Sequence, residues 1–198
     1  MIFKTISNLN IYLFSVINNV AGKNPILDTA MIFIASYFIF VIPIFLIYLW
    51  FKKTKRDENK KEALFIFASV LISLAIAWGI SLIYFHPRPF MIGLGKKLIQ
   101  HAPDSSFPSD HATSMFAPAF SLIFLKKYKD GVIFFILSLL VGIARVFCGI
   151  HFPVDIVGSF FVSLIGAGII FIVKEKLNFL FSKMIKLYNR YVFISERK

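Results

Sequence analysis

"ALFIFASVLISLAIAWGISLIYF", residues Ala63 to Phe85, contains no charged side chain. A helix needs about 20 mostly apolar residues to cross the hydrocarbon core of a bilayer. Only structures that satisfy their own backbone hydrogen bonds can stand in lipid, so a stretch this long and this apolar predicts a spanning helix. Composition agrees. The chain has 198 residues, is 58% hydrophobic, holds 25 phenylalanines and has a mean hydropathy of +0.78. Soluble domains are about 45–50% apolar.

Outward from this stretch, four more spans can be read. Ile26 to Phe51 has Asp28 at its start and Pro43 inside. Ser109 to Leu125 is short and opens on polar residues. Val132 to Phe147 follows. Asp155 to Val173 is rich in Gly158, Ser159, Ser163, Gly166, Ala167 and Gly168, small residues that let helices approach closely. The expected fold is an all-α polytopic membrane helix bundle of about five transmembrane helices, forming one domain over 1–198. Residues 1–25 read as an interfacial helix, because Ile2, Phe3, Ile6, Leu9, Leu13 and Ile17 recur near helical spacing among polar residues. A sixth spanning helix is the alternative there. Residues 26–173 make the bundle, and 174–198 a basic cytoplasmic tail lying along the membrane surface. No cleavable signal peptide is evident. Cys148 is the single cysteine, so no intrachain disulfide can form.

The net charge is +12, from 22 Lys and Arg against 10 Asp and Glu. These charges lie between apolar runs, which argues for membrane topology and against nucleic acid. Sixteen of the 22 fall in "KKTKRDENKKE" (52–62), "KKYKDG" (126–131) and the stretch after the last span. The other six are Lys4, Lys23, Arg88, Lys96, Lys97 and Arg145. The positive-inside rule puts the larger group in the cytoplasm. Residues 86–111 and 145–155 then share the extracytoplasmic face.

All four histidines fall on that face: His86, His101, His111 and His151. So do Arg88 and Arg145. In "FHPRPF" (85–90), Pro87 and Pro89 stop the preceding helix and stiffen the chain around Arg88. In "FPSDHATS" (107–114), Ser109 can cap a helix whose N-terminus suits a phosphate. In "ARVFCGIHFPVD" (144–155), Asp155 can hold one ring nitrogen of His151 as N–H and leave the other free to attack. Arginines bind phosphate through a planar fork that stays charged. Together these groups suit phosphoryl transfer, with one histidine as nucleophile and the other as acid.

The three blocks resemble the type 2 phosphatidic acid phosphatase superfamily, whose motifs are K-x6-R-P, P-S-G-H and S-R-x5-H-x3-D. Within it, "YFHPRPF", "FPSDHAT" and "GIHFPVDIVG" look most like bacterial undecaprenyl-diphosphate phosphatases of the bacitracin-resistance type. The resemblance covers roughly residues 26 to 173. It implies an enzyme that converts undecaprenyl diphosphate to the monophosphate plus phosphate, recycles the carrier lipid for cell-wall synthesis and gives bacitracin resistance. By that resemblance His151 forms a phosphohistidine, Asp155 orients it and His111 is the general acid. Arg88, Ser109 and Arg145 hold the phosphate; Asp110, outside the family pattern, reads as a structural pair or a further substrate contact. The implied partners are a polyprenyl diphosphate and the bilayer, with the site on the outer face of the bacterial cell membrane. No metal or other cofactor is expected, since the two arginines supply the charge a metal would bring.

Three positions depart from the motifs. Ser81 stands where the first motif has lysine, and Lys96, Lys97 or His86 are the candidates to replace that cation. Asp110 stands for the glycine of the second motif and Ala144 for the serine of the third. His86 and His101 otherwise read as solvated loop residues. The alternatives are a phosphatase for phosphatidic acid, phosphatidylglycerol phosphate or another lipid phosphate; an anion transporter; and an inactive binding module. Spans nearly free of internal charge argue against the transporter. The intact nucleophile, acid and carboxylate argue against the inactive module.

Overall fold

The computed structural model describes residues 2–195, with side chains from 7 to 191. Among these residues the regular structure is helical throughout. The helices are α1 (Ile2–Asn18), α2 (Pro25–Tyr37), α3 (Val41–Phe51), α4 (Arg56–Ile83), α5 (Asp110–Phe124), α6 (Tyr128–Phe147), α7 (Pro153–Ile172) and α8 (Lys174–Ser195). Four stretches are long and apolar enough to cross a membrane: Pro25–Phe51, Arg56–Ile83, Tyr128–Phe147 and Pro153–Ile172. The chain is therefore a multi-pass membrane protein.

The first span is one path made of two helices. A 3-10 turn over Phe38–Phe40 joins α2 to α3. Pro43 explains the break, since it has no N–H to give to the Ile39 carbonyl and its ring crowds that oxygen. The polar, 15-residue α5 stands in the middle of the bundle. Every residue from Ala112 to Leu122 is buried, against α4, α6 and α7. Protein neighbours, not lipid, surround it. That is why a short helix with polar residues in its first turn is tolerated at this depth.

Hydroxyls tie α5 to its neighbours. Ser159 donates to the Ser109 carbonyl (2.9 Å), Ser163 to the Thr113 carbonyl (2.8 Å), and Ser121 to Ser69 Oγ (2.6 Å). The small residues of α7 do the expected work of close approach. A Cβ on Gly166 would lie 2.2 Å from Ser73 Oγ and 2.9 Å from Ser73 Cα. A Cβ on Gly158 would lie 2.2 Å from the Phe107 ring.

The C-terminal stretch is a helix that packs on the bundle. After Val173, α8 packs beside the N-terminal end of α4. Phe181 meets Phe65 with ring centroids 5.0 Å apart, and Asn189 accepts from the buried Lys60 (2.6 Å) and donates to Asp57 (3.2 Å). Residues descending from 65 to 57 thus meet residues ascending from 181 to 189, so the two helices run antiparallel. Phe181 and Ile185, one turn apart, are buried, and α4 projects far enough to receive that face.

At the other end, α1 lies across the bundle. Asn10 Oδ1 accepts from Val154 N (3.0 Å), at the start of α7. Asn18 Nδ2 donates to the Phe147 carbonyl (2.7 Å), at the end of α6. Phe14, buried between them, packs on Phe152 at 5.2 Å. Both anchors belong to one end of the bundle, so this helix rests on that end and does not run through it. Its outer residues Leu9, Tyr12 and Val16 are exposed.

Gly166→Ala should destabilise the protein by about 1–3 kcal/mol, because a methyl group there must push α4 and α7 apart. Unfolding in detergent measures this. A variant as stable as the parent would show that the α4–α7 contact yields freely.

Candidate active site

The site is built by two connections on the same end of the bundle. α4 stops at Ile83, ahead of Pro87 and Pro89, and the chain runs extended through Arg88. It returns through residues 94–109 to α5. The second connection is the short link from α6 to α7, residues 148–152.

Arg88 is 4% exposed and bonded from four directions. Its Nε donates to Asp104 Oδ1 (2.8 Å), Nη1 to the Ile150 carbonyl (2.9 Å), and Nη2 to the Ser105 carbonyl (3.1 Å). Nη1 also stands 3.0 Å from His151 Nε2. Arg145 is buried in the last turn of α6, where the helix dipole favours a cation. Its Nη2 lies 3.4 Å from His151 Nε2 and 3.2 Å from His101 Nε2.

These partners fix the tautomer of His151. A guanidinium can only donate, so Nε2 carries the lone pair. On the far side of the ring, Nδ1 is 3.0 Å from the Ser106 carbonyl, which can only accept, so Nδ1 carries the proton. Complete burial, reinforced by Arg145 and Arg88, lowers the His151 pKa to about 4, although Asp155 opposes the shift. The ring is neutral at neutral pH, with its lone pair aimed between two arginines.

Asp155 stands behind the ring, fully buried in the first turn of α7. Its Oδ2 accepts from Phe152 N (2.7 Å), a carboxylate reaching back to the residue that caps its own helix. Oδ2 also accepts from the Ser106 hydroxyl. Oδ1 faces His86 Nδ1 at 3.0 Å. The distance from Oδ2 to His151 Nδ1 is 3.5 Å, longer than that from the Ser106 carbonyl. The sequence pointed to Asp155 as the group that orients His151; the Ser106 carbonyl is the nearer acceptor, because Asp155 is already committed to other donors.

Ser109 is buried and caps α5, its Oγ accepting from Ala112 N at 3.5 Å. His111 follows in the first turn. Arg145, His151, His101 and Arg88 all lie within electrostatic reach of it. The geometry therefore brings His111, His151, Asp155, Arg88, Arg145 and Ser109 to one end of the bundle, from three separate stretches of chain.

The family model described as the PAP2 superfamily matches residues 62–179. The chain belongs to that superfamily. Among curated relatives, it is 35% identical over 157 residues to the undecaprenyl-diphosphatase BcrC of Bacillus subtilis (strain 168), covering 79% of this chain and 80% of that protein. It is 31% identical over 161 residues to the putative undecaprenyl-diphosphatase YbjG of Escherichia coli (strain K12), covering 81% of this chain and 80% of that one. Among solved structures, Aquifex aeolicus LpxE superposes with a TM-score of 0.64 at 25% identity, covering 82% of this chain and 94% of that one.

This PAP2 chain fills its motif departures in its own way. Asp110 is exposed and makes no ion pair among the described residues. With Ser81, Asp104, Ser105, Pro108, Leu74 and Trp78 it lines a cleft of about 380 Å³. Lys97 does not supply the missing cation: its Nζ sits 4.0 Å from the Phe90 ring centroid and donates to the His101 carbonyl (3.3 Å). Lys96 lies against Gly22. His86 turns to Asp155.

His86 and His101, read from the sequence as solvated, both belong to the site, and burial with the nearby arginines lowers the His101 pKa. Asp104 and Ser106 were missed. Asp104 sits three residues after His101 in a polar loop, a weak signal for a countercharge to Arg88. Ser106 acts partly through its carbonyl, which no residue type encodes.

In the folded protein His151 should stay neutral until about pH 4, two or more pH units below an ordinary histidine. The unfolded chain takes up that proton near pH 6.5, so this residue favours folding fully above 6.5 and loses that advantage as pH falls towards 4. Imidazole 15N resonances in micelles report both the midpoint and the Nδ1–H tautomer. A midpoint near 6.5 would contradict the burial described.

Proposed function

We propose that this chain is a lipid phosphatase that hydrolyses undecaprenyl diphosphate to undecaprenyl phosphate and phosphate. The observation that carries this reading is the His151 ring. Its Nε2 lone pair faces Arg88 and Arg145 at 3.0 and 3.4 Å, and its Nδ1–H is held from behind. A neutral imidazole aimed between two fixed cations suits attack on an anionic phosphorus. Relatives at 35% and 31% identity that bear the name undecaprenyl-diphosphatase support the substrate.

The terminal phosphate enters between the guanidinium groups, and the N-terminus of α5, capped by Ser109, adds backbone N–H donors. Nε2 attacks the terminal phosphorus. The bond to the bridging oxygen breaks, and His111 protonates the departing lipid monophosphate. Asp155 and the Ser106 carbonyl stabilise the charge that develops on the His151 ring. Water, deprotonated by His111, then attacks the phosphohistidine, and the P–N bond breaks to release phosphate. Asp110 lines the mouth of the pocket, where its charge sets which head groups are admitted. Positioning and neutralisation supply most of the rate, as in phosphoryl transfer generally.

The site end is the end away from Lys52–Lys61, Lys126–Lys129 and α8, so charge distribution supports an extracytoplasmic site. The lipid tail stays in the bilayer. The reaction returns the carrier lipid to the monophosphate for cell-wall synthesis, and bacitracin resistance follows from that activity.

Purified protein should release phosphate from undecaprenyl diphosphate faster than from phosphatidic acid or phosphatidylglycerol phosphate, and should do so in EDTA. Preference for another lipid phosphate would reassign the substrate, and loss of turnover in EDTA would end the metal-free scheme. His151→Ala should lower kcat about a thousandfold or more and abolish the acid-labile phosphoenzyme. Persistence of that species would move the nucleophile elsewhere.

A further inference from the structure

We propose that His86 is a positioning residue for phosphoryl transfer, acting through the two groups that stand behind the His151 ring. The inference rests on the reading of His151 as nucleophile.

Nδ1 of His151 has two oxygen acceptors within reach, the Ser106 carbonyl at 3.0 Å and Asp155 Oδ2 at 3.5 Å. His86 holds both. Its carbonyl accepts from Ser106 N at 2.7 Å, and its own N–H donates to Ser105 Oγ at 3.3 Å. This short pairing lays residues 105 and 106 alongside residue 86 and aims the Ser106 carbonyl at His151. Its side chain grips Asp155: Nδ1 is 3.0 Å from Oδ1. The other donors to Asp155, Phe152 N and the Ser106 hydroxyl, all meet Oδ2. The Oδ1 atom depends on His86.

That dependence has a physical consequence. Asp155 is 0% exposed, and a buried carboxylate oxygen without a donor is costly. With His86 gone, the carboxylate gains by rotating towards another donor, and the nearest is the His151 ring. Such a turn would pull Nδ1–H away from the Ser106 carbonyl and swing Nε2 off its line between Arg88 and Arg145. The His86 ring is itself fixed for this purpose. It stacks on Tyr84 at 6.1 Å with planes 11° apart, and packs on Phe152 at 5.5 Å. Phe152 is also the residue whose N–H meets Asp155, so one aromatic contact braces both sides of the carboxylate.

The test compares His86→Ala, His86→Asn and His86→Gln in the full-length purified protein, with undecaprenyl diphosphate in detergent. An Asn amide places an N–H donor close to where Nδ1 stands; a Gln amide places it farther out. His86→Ala should lower kcat about ten- to a hundredfold, the range for losing a group behind a functional ring, with KM held within about threefold. His86→Asn should recover most of kcat and His86→Gln should not. The Asn and Gln variants keep a polar side chain in place, so their comparison decides the matter if the Ala variant does not fold. Equal losses in Asn and Gln, a loss confined to KM, or full turnover in His86→Ala would each overturn the inference. If those results come with loss of phosphoenzyme in His151→Ala, the nucleophile stands and only the role of His86 falls. A phosphoenzyme in His151→Ala would remove the nucleophile and this inference together.

Discussion

The carboxylate of Asp155 is buried at the rim of a lipid-embedded bundle, and its need for donors organises everything around it. One oxygen takes Phe152 N and the Ser106 hydroxyl, and the other takes His86. Those donors come from the α6–α7 link, the loop before α5 and the stretch after α4. An unpaired charge at this depth is expensive, so the three segments are drawn to one point and kept there. The same logic governs Arg88, whose bonds to Asp104, Ser105 and Ile150 leave its guanidinium little freedom. Each buried ion restricts the next. The arrangement is rigid before any lipid arrives, which is how electrostatic stabilisation of a transition state avoids reorganisation.

The helix that stands at the centre also begins with polar residues. α5 opens on Ser109, Asp110 and His111 and is wrapped by α4, α6 and α7. Helices in lipid gain little from hydrophobic contrast with one another, so hydroxyl bonds and close backbone approach hold them. Ser159, Ser163 and Ser121 supply the bonds, and Gly158 and Gly166 supply the approach. The polar stretch "FPSDHATS" thus carries part of the seam by which the central helix is sewn into place.

Much of this was legible in the residues. Charge-free runs marked the spans. Spacing in "ARVFCGIHFPVD" placed Arg145, His151 and Asp155 in register. What stayed hidden had physical reasons. Ser106 works through a carbonyl, and every residue has one. His86 and His101 looked like solvated histidines because burial in a loop depends on what folds over it. Asp104 follows no motif, since a countercharge can come from any nearby stretch. α8 reads as amphipathic in composition, and an amphipathic helix can face a membrane or another helix. Here the face with Phe181 and Ile185 meets α4, an outcome set by a different element.

The bonds of α1 join residues far apart in the chain. Asn18 meets Phe147 across 129 positions, and Val154 meets Asn10 across 144. A ribosome adding about 5–20 residues per second needs roughly 7–30 seconds to cover such a gap. α1 must therefore wait for partners that are made later. Only when α7 has been made can α1 close over the link that bears His151. A chain stalled before that moment lacks the start of α7, the seat that Asn10 of α1 needs.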